Sequence, residues 1–132
     1  MLEERDLTVD EYSMLRASVG WYPMSMEVMA CGLKNSLYSV VAKVEDEIIG
    51  CGRVVGDGGM YFYIQDVIVL PEHQGRGIGV EIMDRLMSYL DRNAKPTAFI
   101  GLMAGNGVAP FYHRYGFTDR PKDGPGMHQV RQ

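Results

Sequence analysis

The sequence has few of the features that would place it outside the ordinary globular class. It contains two cysteines in 132 residues, which excludes a disulfide framework, and their spacing matches no metal-binding pattern. It has no run of about eighteen apolar residues, so we expect no membrane span. The first six residues are polar and acidic, unlike a signal peptide. We therefore predict a cytoplasmic protein with reduced thiols, no membrane partner and no metal.

Positive charge is also scarce. Lys and Arg number 13 against 17 Asp and Glu, which leaves a net charge of −4. This balance argues against a nucleic acid partner, because duplex binding normally needs a basic surface. It mildly favours a small cationic partner such as an amine. The length predicts one domain over residues 1–132.

The most informative stretch is an apolar strand followed closely by a helix. Tyr61 to Leu70 is rich in aromatic and β-branched residues and predicts a buried strand. From Ile78 to Asn93 the apolar residues recur at helical spacing. The connecting loop, Gln74 to Gly79, has three glycines at alternate positions. Bare backbone at the start of a helix predicts a site for an anion such as a phosphate, although a flexible connection would have the same composition.

Two well-known phosphate loops do not fit this stretch. A P-loop needs Lys followed by Ser or Thr after its last glycine, and Gly79 precedes Val80 here. A dinucleotide fingerprint needs a glycine three residues after Gly77, where Val80 stands.

The remaining chain predicts a mixed, mostly antiparallel sheet flanked by helices, in the α/β or α+β class. Thr8 and Glu11 have the spacing of a helix capping box. The strand–helix–strand order from Tyr61 to Met103 predicts a parallel pairing. Gly50 and Gly52 inside a strand predict a bulge or a close backbone approach. The other expected elements are strands at 2–5, 38–44, 47–55, 98–103 and 127–130, and helices starting after Thr8 and Ser25 and spanning 111–115.

The loop resembles the Gln/Arg-x-x-Gly-x-Gly/Ala signature of the GNAT family of N-acetyltransferases, with Gln74, Gly77 and Gly79 at its defining positions. A second motif, Ala109 to Phe117, resembles the later helix-to-strand segment of that family. The resemblance covers roughly residues 39–117 and implies a GNAT fold that uses acetyl-CoA.

The resemblance also implies how coenzyme A is held. The loop amides would bind its pyrophosphate. The strand before the loop and the strand after the helix would splay apart, and the backbone freed in this way would bind its pantetheine. Arg76 is expected to neutralise a coenzyme phosphate, although an exposed loop arginine is equally ordinary. The predicted coenzyme-binding residues are Val67, Ile68, Val69, Gln74, Gly75, Arg76, Gly77, Ile78, Gly79, Asn106 and Tyr112.

Acetyl transfer to an amine needs an acid for the leaving thiolate and a base for the amine. Tyr112 resembles the tyrosine that the family uses as the acid, and a phenol stays protonated at neutral pH. Asp66, an acidic residue in an apolar strand, is the predicted base, directly or through water. The related glucosamine-phosphate acetyltransferases have an acidic pair where Gln65 and Asp66 stand. Because Gln65 cannot act as a base, a structural Asp66 is an equal alternative.

Four residues are candidates for the acceptor pocket: Trp21, Tyr22, Tyr63 and Gln65. Ordinary packing is the alternative for each of them. The predicted acceptor is a small-molecule or peptide amine, and the sequence does not identify it. A longer acyl donor, a non-catalytic acyl-CoA-binding module and a plain interaction domain are the competing hypotheses. Dimerisation is common in the family, and the sequence leaves the oligomeric state open.

Overall fold

A five-stranded sheet organises the first of two units into which the chain divides. The computed structural model describes all residues, Met1–Gln132. The units are Met1–Gly101 and Leu102–Gln132. The prediction of one domain over the whole chain stays a prediction.

The strands lie in the sheet in their chain order. The first four strands pair antiparallel with their neighbours, and the fifth pairs parallel with the fourth, as the strand–helix–strand order predicts. The strands are β1 (Leu2–Glu4), β2 (Tyr38–Val44), β3 (Glu47–Gly56), β4 (Tyr61–Val69) and β5 (Phe99–Gly101). The mixed, mostly antiparallel sheet is thus confirmed.

This unit contains three α-helices, α1 (Val9–Ser18), α2 (Met26–Lys34) and α3 (Ile78–Asn93), and a 3-10 helix at Pro71–His73. Thr8 caps α1 in the predicted capping box, in which the Glu11 N–H donates to Thr8 Oγ1 at 3.1 Å and the Thr8 N–H donates to Glu11 Oε1 at 2.9 Å. Ser25 caps α2. None of the helices combines the length and apolar character needed to cross a membrane.

Helices cover both faces of the sheet, and β3 shows how. A Cβ atom added at Gly52 would lie 2.6 Å from Ile82 Cγ2, so α3 packs directly on the β3 backbone there. The side chain of the next residue, Arg53, bonds to the C-terminal end of α2 and the residues after it. Because successive strand residues face opposite sides, α3 lies on one face and α2 on the other. The predicted close approach at Gly52 is confirmed.

The second unit contains one short helix, α4 (Ala109–His113), which begins and ends two residues before the helix predicted at 111–115. The predicted strand at 127–130 is wrong. These residues have no regular structure, and Met127 is 87% exposed. A strand needs a hydrogen-bonded neighbour, and no strand of the sheet pairs with this segment.

Candidate functional site

The glycine loop before α3 has the backbone conformation that only glycine adopts easily. Gly75 and Gly77 have φ angles of +79° and +84°. A Cβ atom added at either position would meet no other atom within 4 Å. Packing therefore does not require these glycines, whereas the left-handed turns do. Alternating left-handed residues of this kind form concavities lined by N–H groups, which bind anions.

The start of α3 leaves its backbone donors available. Gly77 is the N-cap residue and makes no side-chain cap. The first N–H groups of a helix have no intrahelical partner, and the helix dipole is positive there. Gln74 serves the loop differently, because its N–H donates to the Pro71 carbonyl at 3.3 Å and its side-chain amide donates to the Val69 carbonyl at 2.9 Å. Gln74 thus ties the loop to the end of β4.

The second half of β4 has one unpaired edge. Pairing with β5 is limited to Tyr61–Tyr63, so no strand lies beside residues 64–69 on that side. The Leu70 N–H donates to the Ile49 carbonyl of β3. Because backbone groups of alternate residues point to the same edge of a strand, those of Val69 and Val67 point to the open edge. A ligand with amide groups could pair with β4 there.

A β-bulge interrupts β4 at the same level. Cys51 pairs with Ile68 and Arg53 pairs with Gln65, so two residues of β4 oppose Gly52 alone. Asp66 has a φ of +59°, in the left-handed region. Its carbonyl accepts a hydrogen bond from the Cys51 thiol at 3.2 Å. The bulge therefore takes the backbone of Asp66 out of the regular ladder.

The Asp66 side chain is buried and fully engaged. Its Oδ2 atom accepts from Arg53 Nε at 2.9 Å and from the Tyr12 hydroxyl at 3.0 Å. Its Oδ1 atom accepts from Gln65 Nε2 at 3.2 Å. Adjacent side chains of a regular strand face opposite sides, and the bulge lets those of Gln65 and Asp66 meet. Asp66 is thus the carboxylate of a buried ion pair with Arg53. Its contacts are those expected of a structural residue, although the donors are side chains and not backbone amides.

A second guanidinium extends this cluster toward the connection between α1 and α2. Arg16 is 5% exposed and has no carboxylate partner, and its Nη1 donates to the Tyr12 hydroxyl at 3.2 Å. Its Nη2 donates to the Tyr22 carbonyl at 2.6 Å. Burial, and secondly the Asp66 charge, raise the pKa of Tyr12 to about 12. Tyr12 therefore stays a neutral donor to Asp66.

The acceptor-pocket candidates fall into two groups. Trp21 and Tyr22 are exposed, and their rings lie 5.5 and 4.8 Å from the Arg16 guanidinium carbon. Gln65 contacts Asp66, and Tyr63 is half-buried where β4 pairs with β5. The structure thus links three of these four residues to the Asp66 cluster, directly or through Arg16.

The acid candidate lies in the second unit. Tyr112 is in α4, half-buried, with ring centroids of Phe111 and Phe117 at 5.1 and 6.5 Å. Burial raises the pKa of Tyr112 above 10. The phenol is therefore protonated at neutral pH, as an acid must be. Asn106 is exposed in the turn before α4.

Three potential metal ligands come together beside the loop. Glu47, Glu72 and His73 place ligand atoms within 4.8 Å of one another, and both carboxylates are exposed. Exposed acidic groups of this kind are common without a metal. The absence of a metal stays a prediction. Arg76 is exposed and makes no ion pair.

Sequence reasoning missed the residues around Asp66. Arg53 is a charged residue within an apolar strand, the same signal that singled out Asp66. Arg16 and Tyr12 lie one turn apart on α1, and both are buried. A search for charged residues in apolar positions would have identified the two arginines, although not their partners.

Comparison with known proteins identifies a matching family. A family model described as an acetyltransferase (GNAT) domain matches residues 35–119. An uncharacterised N-acetyltransferase, ycf52, from Pyropia yezoensis is 31% identical over 127 residues, which cover 93% of this chain and 72% of that protein.

Solved structures have the same fold. A probable acetyltransferase from meticillin-resistant Staphylococcus aureus superposes with a TM-score of 0.91 at 32% identity, over 99% of this chain and 100% of that one. The Rv2747 protein of Mycobacterium tuberculosis, crystallised with CoA and NLQ, gives a TM-score of 0.71 at 21% identity. That match covers 92% of this chain and 73% of the other, and at this identity it shows a shared fold alone.

Proposed function

Because the chain belongs to the GNAT family of acetyltransferases, we propose that it transfers an acetyl group from acetyl-CoA to the primary amine of a small molecule or peptide. One observation carries the proposal: the open edge of β4 is followed, after a 3-10 turn at Pro71–His73, by a glycine loop with two left-handed residues and an uncapped helix. A long ligand with amides at one end and phosphates at the other suits this order of sites.

The residues present fit coenzyme A. Backbone N–H groups from Gly75 to Gly79 would hold the pyrophosphate, and the space beside Gly75 and Gly77 is open. The Val67 and Val69 backbone would bond the pantetheine amides. The Mycobacterium tuberculosis neighbour that shares the fold is in complex with CoA, so the fold is compatible with this donor. Arg76 is free to neutralise a phosphate, since it has no ion-pair partner.

Acetyl-CoA supplies an acetyl group that is activated as a thioester. The amine nitrogen attacks the carbonyl carbon, the carbon–sulfur bond breaks, and the sulfur leaves as a thiolate. The Val67 N–H is our candidate donor to the negative charge that develops on the carbonyl oxygen. Tyr112 is our candidate acid, which gives its phenol proton to the thiolate.

The attacking amine must also lose a proton. Asp66 as the base, directly or through water, stays a prediction. Its hydrogen bonds to Arg53, Tyr12 and Gln65 favour the structural role. A cytoplasmic location and a homodimer likewise stay predictions.

Calorimetric titration with acetyl-CoA tests the donor site. We expect the wild-type protein to bind and Gly77→Glu to lose binding, because the added carboxylate would repel the pyrophosphate. Gly58→Glu is the matched control, since Gly58 has a φ of +79° and lies in the turn at the opposite end of β4. It introduces the same charge and similar strain, and it should bind normally. A folded wild-type protein that does not bind would refute the proposal.

Turnover separates an enzyme from a non-catalytic acyl-CoA-binding module. An enzyme should acetylate at least one amine in a screen of small amines, amino sugars, polyamines and peptides. Tyr112→Phe should still bind acetyl-CoA and turn over more slowly. Binding without turnover for every amine would favour the module.

A further inference from the structure

The bulge in β4 needs an explanation, because its left-handed residue is not glycine. Asp66 has a φ of +59° within a strand whose neighbours are extended. Asp tolerates this region better than most residues, yet glycine is usual at such a position. Surrounding contacts must therefore fix the conformation.

Those contacts come from two helices and the neighbouring strand. Arg53 donates Nε to the Asp66 carboxylate, and its Nη1 donates to the Gly32 carbonyl at 3.3 Å and to Ser36 Oγ at 2.7 Å. Tyr12 donates its hydroxyl to the same carboxylate oxygen and is itself held by Arg16. Both donors are thus anchored independently of β4.

The bulge also determines which way the following residues point. Two residues of β4 occupy the place opposite Gly52. If the strand were regular, every backbone group beyond Gln65 would be shifted by one position, and the edges faced by Val67 and Ile68 would exchange. The open edge would then offer a different set of donors.

We propose that Arg53 and Tyr12 are positioning residues that hold the Asp66 bulge and thereby direct the Val67 backbone to the pantetheine and thioester of acetyl-CoA. This inference rests on the proposed function. Under it, the Asp66 carboxylate acts through the backbone and not as a base.

The test compares two ligands on one set of variants. Coenzyme A contains the phosphates and the pantetheine, whereas 3′-phosphoadenosine 5′-diphosphate contains only the nucleotide portion. Tyr12→Phe and Arg53→Met each remove a donor to Asp66. Tyr38→Phe is the control, because its hydroxyl bonds to Glu4 of β1, away from β4.

We expect Tyr12→Phe and Arg53→Met to weaken coenzyme A binding by about tenfold, because one hydrogen bond between the Val67 backbone and the pantetheine would be lost. Binding of the nucleotide portion should not change, and Tyr38→Phe should bind both ligands normally. Equal weakening of both ligands would indicate a general loss of structure and overturn the proposal, as would no weakening of either. If Arg53→Met does not fold, Tyr12→Phe, which removes one oxygen atom, decides the question.

Replacement of Asp66 gives a second readout. Asn tolerates the left-handed region and keeps an oxygen acceptor, whereas Val does neither. Asp66→Val should therefore weaken coenzyme A more than Asp66→Asn. Equal binding by both variants would refute the positioning role. A wild-type protein that binds neither ligand would instead refute the proposed function, so the two failures are distinguishable.

Discussion

Gly52→Ala adds one methyl group where β3 meets α3. The new Cβ would lie 2.6 Å from Ile82 Cγ2 and 3.0 Å from Leu86 Cδ1. Carbon atoms in contact prefer about 3.5 to 4 Å, so α3 or its side chains must move by about 1 Å. Ile82 has little freedom to rotate, since β-branched side chains are restricted to one rotamer in a helix.

Overpacking of this kind costs about 1 to 3 kcal/mol. For a chain of this length, each kcal/mol lowers Tm by about 3 to 4 °C. We therefore expect Gly52→Ala to lower Tm by about 3 to 12 °C, and to lower the urea midpoint with an unchanged m-value.

The same substitution at Gly32 should have the opposite sign. Gly32 lies inside α2, and an added Cβ would meet nothing within 4 Å. Ala is favoured over Gly in a helix by about 1 kcal/mol. Gly32→Ala should therefore raise Tm slightly in the same melting assay.

A double mutant tests whether Ile82 is the cause. Ile82→Ala alone should cost about 2 to 5 kcal/mol through the cavity it leaves. The double mutant should lose less stability than the sum of the losses in the two single mutants, by about 0.5 to 3 kcal/mol. Full additivity, or wild-type stability for Gly52→Ala, would refute the reasoning about this contact.

Three further predictions concern titration and a turn. If Tyr112 is the acid, kcat should not fall on the alkaline side below about pH 10, because burial raises the pKa of this phenol; a fall near pH 8 would contradict the assignment. The bonds from Arg5 lower the pKa of Glu11 from 4.5 to about 2. A lowered pKa adds stability that is present above pH 4.5 and lost toward pH 2. Glu11→Gln should thus cost about 1 kcal/mol in denaturant melts at pH 7 and nothing near pH 2; an equal cost at both pH values would contradict this. Asp57 Oδ1 accepts from the N–H groups of Gly59, Met60 and Tyr61, so Asp57→Ala should lower Tm more than Asp57→Asn, and equal melts would argue against this turn.

Local chemistry made much of the fold predictable. The capping box at Thr8, the apolar spacing of α3 and the turn residues between strands each depend on a few neighbouring residues. The glycine loop was equally readable, since its conformation depends on its own residues. The predicted strand at 127–130 failed because a strand also requires a partner, which its own four residues cannot reveal.

The bulge at Asp66 was not predictable from β4 itself. Along β4, the buried residues alternate without interruption with half-buried ones; the buried residues are Phe62, Ile64, Asp66 and Ile68. Helices cover both faces of the sheet, so a residue that changes faces stays buried and the pattern does not record the change. Two of the three side-chain donors to Asp66, Arg53 and Tyr12, are 13 and 54 residues away in the chain, beyond the reach of any local pattern.

The order of the strands has a consequence for how the first unit folds. Since β1 to β5 are adjacent in space in the order in which they are synthesised, no strand has to insert between two others. The antiparallel pairings of β2 with β3 and of β3 with β4 can form early, because short turns join these strands. Two pairings need a long connection to close, β1 with β2 across α1 and α2 and β4 with β5 across α3, and longer loops close more slowly. The pairings of β2 with β3 and of β3 with β4 should therefore form before the other two, and the limited length of the β4–β5 pairing leaves the rest of that β4 edge without a partner strand.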